Sequence, residues 1–282
     1  MNHNNVSFIR TVICLLAFII SSTASAAAFT KNKPLLLIGA SYANANTPLT
    51  QDLQGPLFGI SVGAGDYIDL GSALTRLGAK VRNEGQAGAG TFSRPSCNPV
   101  CGTATWDSYP TQLQRALLRV AQYGPSGLEG YNADYVIISI GNDCLHADSF
   151  GIDQNLTSPC TFTQINESID RLIAVGQQVL DLGMTPVFAK FPKARNLDLE
   201  FFAQSAGLAW AISSEGFDYY GEVYAARIEQ ELPDALLVNA WRGFRHMGDG
   251  LHPDENTAMH AAYRFLHAIH WHQKYHRHGH SH

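Results

Sequence analysis

The sequence predicts an α/β protein in which a parallel sheet is covered on both faces. Three observations carry this. Apolar runs of strand length recur along the chain and are continuous rather than alternating, as strands buried on both faces are. Helical segments separate them. The 282 residues are 45% hydrophobic and 15% charged, a globular composition that excludes a disordered or collagen-like chain. No internal repeat and no Pro/Ser-rich linker divides the chain. One domain is therefore expected over residues 27–272, between a leader (1–26) and a His-rich tail (273–282).

The elements follow in order. Lys33 to Ala40 (KPLLLIGA) is a short apolar run ending in a glycine and an alanine, and reads as a buried strand. Residues 42–71, rich in Gly, Asn, Pro and Asp, read mostly as loop. Leu70 to Leu77 reads as a short helix and Ala79 to Asn83 as a short strand, with a second loop over 85–110. Gln112 to Tyr123 sets Leu113, Leu117 and Val120 on one helical face. Asp134 to Ile140 (DYVIISI) is a β-branched buried strand. Thr163 to Leu182 is a long amphipathic helix with Ile165, Ile169, Leu172 and Ile173 on one side, and Gly183 stands where it ends. Thr185 to Phe191 is the next strand, stopped by Pro192. Phe201 to Ser213 and Tyr219 to Glu231 read as helices, Ala235 to Asn239 as a last strand, and Glu255 to His272 as a C-terminal helix.

The first 26 residues have the form of a cleaved secretory signal: Arg10, an apolar core from Thr11 to Ile20, then Ala24 and Ala26 in an A-x-A pattern. The core is short for a spanning helix of about 20 residues, although an uncleaved anchor is the rival reading. Cleavage removes Cys14 and leaves Cys97, Cys101, Cys144 and Cys160. An even count in an exported chain favours disulfides, and pairing neighbours gives Cys97–Cys101 and Cys144–Cys160. A zinc site is the alternative, with no histidine near Cys97 or Cys101 to support it. The formal charge of −5 argues against a groove that tracks nucleic-acid phosphates.

In open parallel sheets ligands bind beyond the carboxyl ends of the strands. The segments that follow the predicted strands are therefore the candidates. Ser41 follows the first; a serine hydroxyl there is a nucleophile if a base is near, and otherwise a turn cap. Gly85, Gly88 and Gly90 follow the second, where a backbone N–H can approach a developing oxyanion, or where the chain simply turns. Neither the G-x-G-x-x-G order nor a phosphate-binding G-x-x-x-x-G-K-[ST] is present. Asn142 follows the third strand and offers a side-chain N–H₂. Near the C-terminus Asp249 and His252 stand three residues apart, so that within one turn the carboxylate can take the Nδ1 proton and leave Nε2 as a base.

Taken together and in this order, Ser41, the N-x-x-x-x-G spacing from Asn83 to Gly88, Asn142, and Asp249-x-x-His252-Pro253 resemble the blocks of the SGNH hydrolase family, the GDSL esterases and lipases. Pro186 to Pro192 is similar to that family's fourth strand, and the resemblance covers roughly residues 34–270. Two departures stand out. The family's G-D-S is Gly39-Ala40-Ser41 here, and its G-x-N-D is Ile140-Gly141-Asn142-Asp143. The resemblance implies a flavodoxin-like three-layer α/β/α sandwich and a Ser41-His252-Asp249 triad. It implies an oxyanion hole from the Ser41 N–H, the Gly88 N–H and Asn142, acting on an ester of a small molecule, lipid or glycan without cofactor or metal. An acyltransferase, a polysaccharide O-deacetylase and a non-catalytic exported binding protein are the alternatives. Tyr42, Phe58, Phe92 and Trp106 are candidate walls of an acyl pocket, or plain core. The tail, with His278, His280 and His282 alternating, has the composition of a loose metal binder or of a solvated end. Oligomeric state is left open.

Overall fold

The computed structural model describes residues 33–44, 68–93, 106–141, 143–147 and 158–276. The signal sequence, Phe58, Cys97, Cys101, Asn142 and the alternating histidines of the tail lie outside them. Described elements run β1 (Leu35–Ile38), α1 (Leu70–Arg76), β2 (Val81–Asn83), α2 (Tyr109–Leu118), β3 (Ala121–Gly124), β4 (Gly127–Tyr131), β5 (Tyr135–Ile138), α3 (Phe162–Asp181), β6 (Thr185–Ala189), a 3₁₀ turn (Ala194–Asn196), α4 (Leu199–Ser205), α5 (Ser214–Glu231), β7 (Leu236–Val238) and α6 (Glu255–His276).

Five strands form one parallel sheet in the order β2-β1-β5-β6-β7. Alternate residues of each strand face opposite layers. Leu35, Leu37, Tyr135, Ile137, Val187 and Ala189 join one core, closed by Leu70 and Leu74 of α1 and by Ala258, Ala262, Phe265 and Ile269 of α6. Leu36, Ile38, Val136, Ile138 and Phe188 join the other, closed by α2, α3 and α5 through Tyr109, Leu113, Ile169, Leu172, Tyr220 and Tyr224. This is the three-layer α/β/α sandwich that the sequence predicts. Burial on both sides explains why its strands lack alternation. The chain leaves β1 in one direction to β2 and in the other to β5, so the order reverses at β1. The crevice beyond the carboxyl end of β1 is where such sheets bind ligands.

Local signals set several helix ends. Asp69 caps α1 through the Ser72 N–H, Ser108 caps α2 with Pro110 in the first turn, and Thr161 with Gln164 forms a capping box on α3. Four expectations need correction. The helix placed at Tyr219 to Glu231 begins five residues earlier, at Ser214, where Ser213 caps it through the Gly216 N–H. The helix placed at Gln112 to Tyr123 occupies Tyr109–Leu118 instead, and Ala121–Tyr131 is an antiparallel hairpin. Leu113, Leu117 and Val120 do lie on one apolar side, but Val120 belongs to the turn that leaves the helix. The helix placed at Phe201 to Ser213 runs over Leu199–Ser205 and stops at Ala206 and Gly207 (φ +67°). Residues beyond it strap across the molecule, with Ile212 N–H donating to Leu145 O at 2.8 Å and Ala147 N–H to Trp210 O at 3.1 Å. Finally, the C-terminal helix continues to His276, past the expected end at His272 and into the stretch read as tail.

Candidate active site

Ser41 lies in a turn that follows β1, where Ala43 N–H donates to Ala40 O at 2.9 Å. The turn is fixed by close approach. Gly39 has φ +144°, and a Cβ there would stand 2.6 Å from Cβ of Ser139 at the end of β5. Gly39 N–H donates to the buried Gln112 Oε1 at 2.8 Å. On the other side Asn83 reaches over from β2. Its Nδ2 donates to Ala43 O at 2.8 Å, and its Oδ1 accepts from Gly85 N–H at 3.0 Å. The serine turn and the glycine loop after β2 are thus tied through one amide side chain.

Asp249 and His252 lie in the connection between β7 and α6. His246 Nδ1 accepts from Gly248 N–H and Gly250 N–H, both at 3.1 Å, and so winds the chain into a turn. Gly250 has φ +87°, and a Cβ there would meet Asp198 O at 2.2 Å, so no other residue fits. Within this turn Asp249 Oδ1 accepts from the N–H groups of Leu251 and His252, each at 2.9 Å. Its Oδ2 lies 2.5 Å from His252 Nδ1. His252 Nε2 lies 2.9 Å from Ser41 Oγ. The structure thus brings Ser41, His252 and Asp249, three residues singled out from sequence, into one hydrogen-bonded chain.

Both members of the acid–imidazole pair are buried, Asp249 6% and His252 4% exposed. Burial pushes the Asp249 carboxyl up, but the His252 hydrogen bond and charge and the two backbone N–H groups outweigh it and hold the carboxyl below its ordinary range. An ionised Asp249 accepts the Nδ1 proton and leaves the Nε2 lone pair facing Ser41. Phe202 packs edge-on to His252 at 6.0 Å between centroids, and Tyr42 is tilted against it at 6.2 Å. Tyr42 also donates to Leu251 O at 2.6 Å. Tyr42 is therefore a support for the histidine turn. Trp106 is fully buried and donates its indole N–H to Ala87 O at 2.6 Å, so it braces the glycine loop from inside the core. Phe92 is partly buried, with the Arg171 guanidinium 3.9 Å above its ring.

Gly88 lies in the loop after β2 at φ +80°. Asn142 is outside the described residues, but its neighbours are held closely. The side chain of Asp143 is fully buried. Its Oδ1 accepts from Thr91 N–H at 2.8 Å, and its Oδ2 from Ser168 Oγ at 2.8 Å, Arg171 Nη2 at 3.0 Å and the Thr91 hydroxyl. Sequence reasoning missed Tyr109, Gln112, Thr91, Ser168 and Arg171. Asp143 was visible only as the residue after Asn142. Cys144 is bonded to Cys160, with Cα atoms 5.5 Å apart, joining the end of this loop to the start of α3. Among the described residues no group of three or more His, Cys, Asp or Glu side chains is placed to hold a metal ion. No described helix is long and apolar enough to cross a membrane.

No protein-family model and no curated protein matches this chain. Solved structures resemble it at low identity. Axe2, an acetylxylan esterase from Geobacillus stearothermophilus, aligns over 86% of this chain and 95% of its own, with 15% identity and a TM-score of 0.47. LAE5, an alpha/beta hydrolase enzyme from the metagenome of Lake Arreo, Spain, aligns over 86% and 97%, with 14% identity and a TM-score of 0.48.

Proposed function

We propose that this protein is an exported serine hydrolase that cleaves carboxylic esters through an acyl-enzyme. The observation that carries the reading is the hydrogen-bonded chain Ser41–His252–Asp249 beyond the carboxyl end of β1, with Ser41 Oγ 2.9 Å from His252 Nε2. That distance lies within the reach a nucleophile and its base need. Ser41 Oγ attacks the ester carbonyl carbon while its proton passes to Nε2. The carbonyl becomes a tetrahedral oxyanion, received by the Ser41 and Gly88 N–H groups and the Asn142 amide. The C–O bond to the alcohol breaks as the imidazolium returns the proton to the leaving oxygen. Water, deprotonated by His252, then releases the acid and restores Ser41. Asp249 stays ionised throughout, orients His252 and stabilises the imidazolium. Export is supported by the N-terminal signal pattern and by the Cys144–Cys160 bond, which belongs to an oxidising compartment.

The test is hydrolysis of p-nitrophenyl esters from acetate to palmitate by wild type and Ser41→Ala. Turnover by wild type that falls at least about 10³-fold in the variant is the expected outcome. The preferred chain length then separates esterase from lipase. A folded wild type that neither turns over any ester nor is labelled at Ser41 by a serine-directed phosphonate overturns the reading in favour of an exported binding protein.

A further inference from the structure

The candidate donors to the oxyanion sit on three different loops, after β1, β2 and β5. A hole built from three loops works only if they keep a fixed spacing, because a donor displaced by about 1 Å loses most of its effect. The first turn of α2 touches all three loops: Gln112 Oε1 accepts from Gly39 N–H, two residues before Ser41, and Tyr109 reaches the other two. Tyr109, the first residue of α2, is fully buried. Its hydroxyl donates to Ile140 O at 3.2 Å, two residues before Asn142. Its own backbone N–H donates to Gly90 O at 3.3 Å, two residues after Gly88. The ring also occupies the space beside Gly141, where a Cβ would stand 2.8 Å from both Cε2 and the hydroxyl oxygen.

Asp143 makes a second tie on the far side of Asn142. Through Thr91 it holds the loop after β2, and through Ser168 and Arg171 it anchors that loop to α3. Arg171 Nε also donates to Thr91 Oγ1 at 2.6 Å, so the arginine grips both members. Tyr220 completes the frame by donating to Gly141 O at 3.3 Å. Asn142 is therefore flanked by Gly141, packed on Tyr109 and bonded to Tyr220, and by Asp143.

We infer that Tyr109 and Asp143 are positioning residues that lock the donor loops after β2 and β5 into one oxyanion frame, on a helix whose Gln112 holds the loop after β1. Neither lies in the Ser41–His252–Asp249 chain. They act through the donors, and the inference rests on the ester-hydrolase reading above.

Two variants test it with p-nitrophenyl acetate and a fluorophosphonate that labels Ser41. Tyr109→Phe keeps the ring beside Gly141 and removes only the hydroxyl. Thr91→Val removes the hydroxyl that joins Asp143 to Arg171, and Thr91→Ser restores it. In Tyr109→Phe and Thr91→Val kcat is expected to fall about 10- to 100-fold with KM within about twofold of wild type, and labelling of Ser41 to slow in step. Thr91→Ser is expected to recover most of the rate. Unchanged kcat and labelling in both variants, whatever their melting temperatures, overturns the inference and leaves these side chains as core packing. A rise in KM alone also overturns it. A wild type that neither turns over nor labels overturns the inference together with the ester-hydrolase reading, and is recognised from the wild-type measurement alone.

Discussion

Asp249 uses one carboxylate oxygen for two backbone N–H groups and the other for His252. Asparagine at this position would keep its oxygen on the two N–H groups, which only an acceptor can serve. Its NH₂ would then face Nδ1 and force the opposite tautomer, with a proton on Nε2 and no lone pair for Ser41. Asp249→Asn is accordingly expected to lower kcat by about 10⁴-fold with the fold intact. Steady-state kinetics beside circular dichroism checks this, and unchanged kcat removes Asp249 from the mechanism. The lowered Asp249 carboxyl has a second consequence. Its ionised form contributes stability in full above the ordinary carboxylate value of about 3.9, and that contribution is lost as pH falls through the lower folded value. The stability difference between wild type and Asp249→Asn should therefore shrink as pH falls below about 4. The D-x-x-H pair was legible in the sequence because both partners lie in one turn. The partners of Asp143 were not. Thr91 lies 52 residues before it and Ser168 lies 25 after, and no local spacing joins them.

Elements read well where one periodicity governed the whole segment and poorly where two elements shared an apolar run. The long helix α3 matched its expected span within a residue at each end, because Ile165, Ile169, Leu172 and Val179 are all buried on one side. The hairpin after α2 was hidden because Leu113, Leu117 and Val120 keep helical spacing up to the turn. The signal that could have revealed it is the Gly124-Pro125-Ser126-Gly127 run, a strong turn sequence just past Tyr123. The Cys144–Cys160 disulfide is an element-scale feature that the sequence did suggest, through the pairing of neighbouring cysteines. It closes a loop with a sequence separation of 16, for which chain entropy gives about 3 kcal/mol. At about 2–4 °C per kcal/mol for a domain of this size, the double variant Cys144→Ser/Cys160→Ser should melt on the order of 10 °C lower. A scan in which the two proteins melt together would show that the bond contributes nothing to stability.

Ser41 and His252 are 211 residues apart, so the reacting pair is assembled from opposite ends of the chain. What brings the ends together is the layer in which α6 packs on α1 and β7, over the core that β1 enters. Phe265 of α6 is fully buried in the same core as Leu35, Leu37, Leu70 and Leu74. Arg76 at the end of α1 pairs with Glu255 at the start of α6, but both are half exposed and the pair contributes little. Apolar burial is therefore the stronger fastening, and it also sets where His252 stands relative to Ser41. Phe265→Ala leaves a cavity in that core and should cost about 3–5 kcal/mol. If α6 and the strands share one core, the whole domain unfolds as a unit. Activity and ellipticity should then be lost in one coincident urea transition, both in wild type and, at lower urea, in Phe265→Ala. Loss of activity at lower urea than loss of ellipticity would mean that α6 and the histidine turn detach first. The reacting pair would then be held by the local turn around Asp249 and His246 rather than by the core of the molecule.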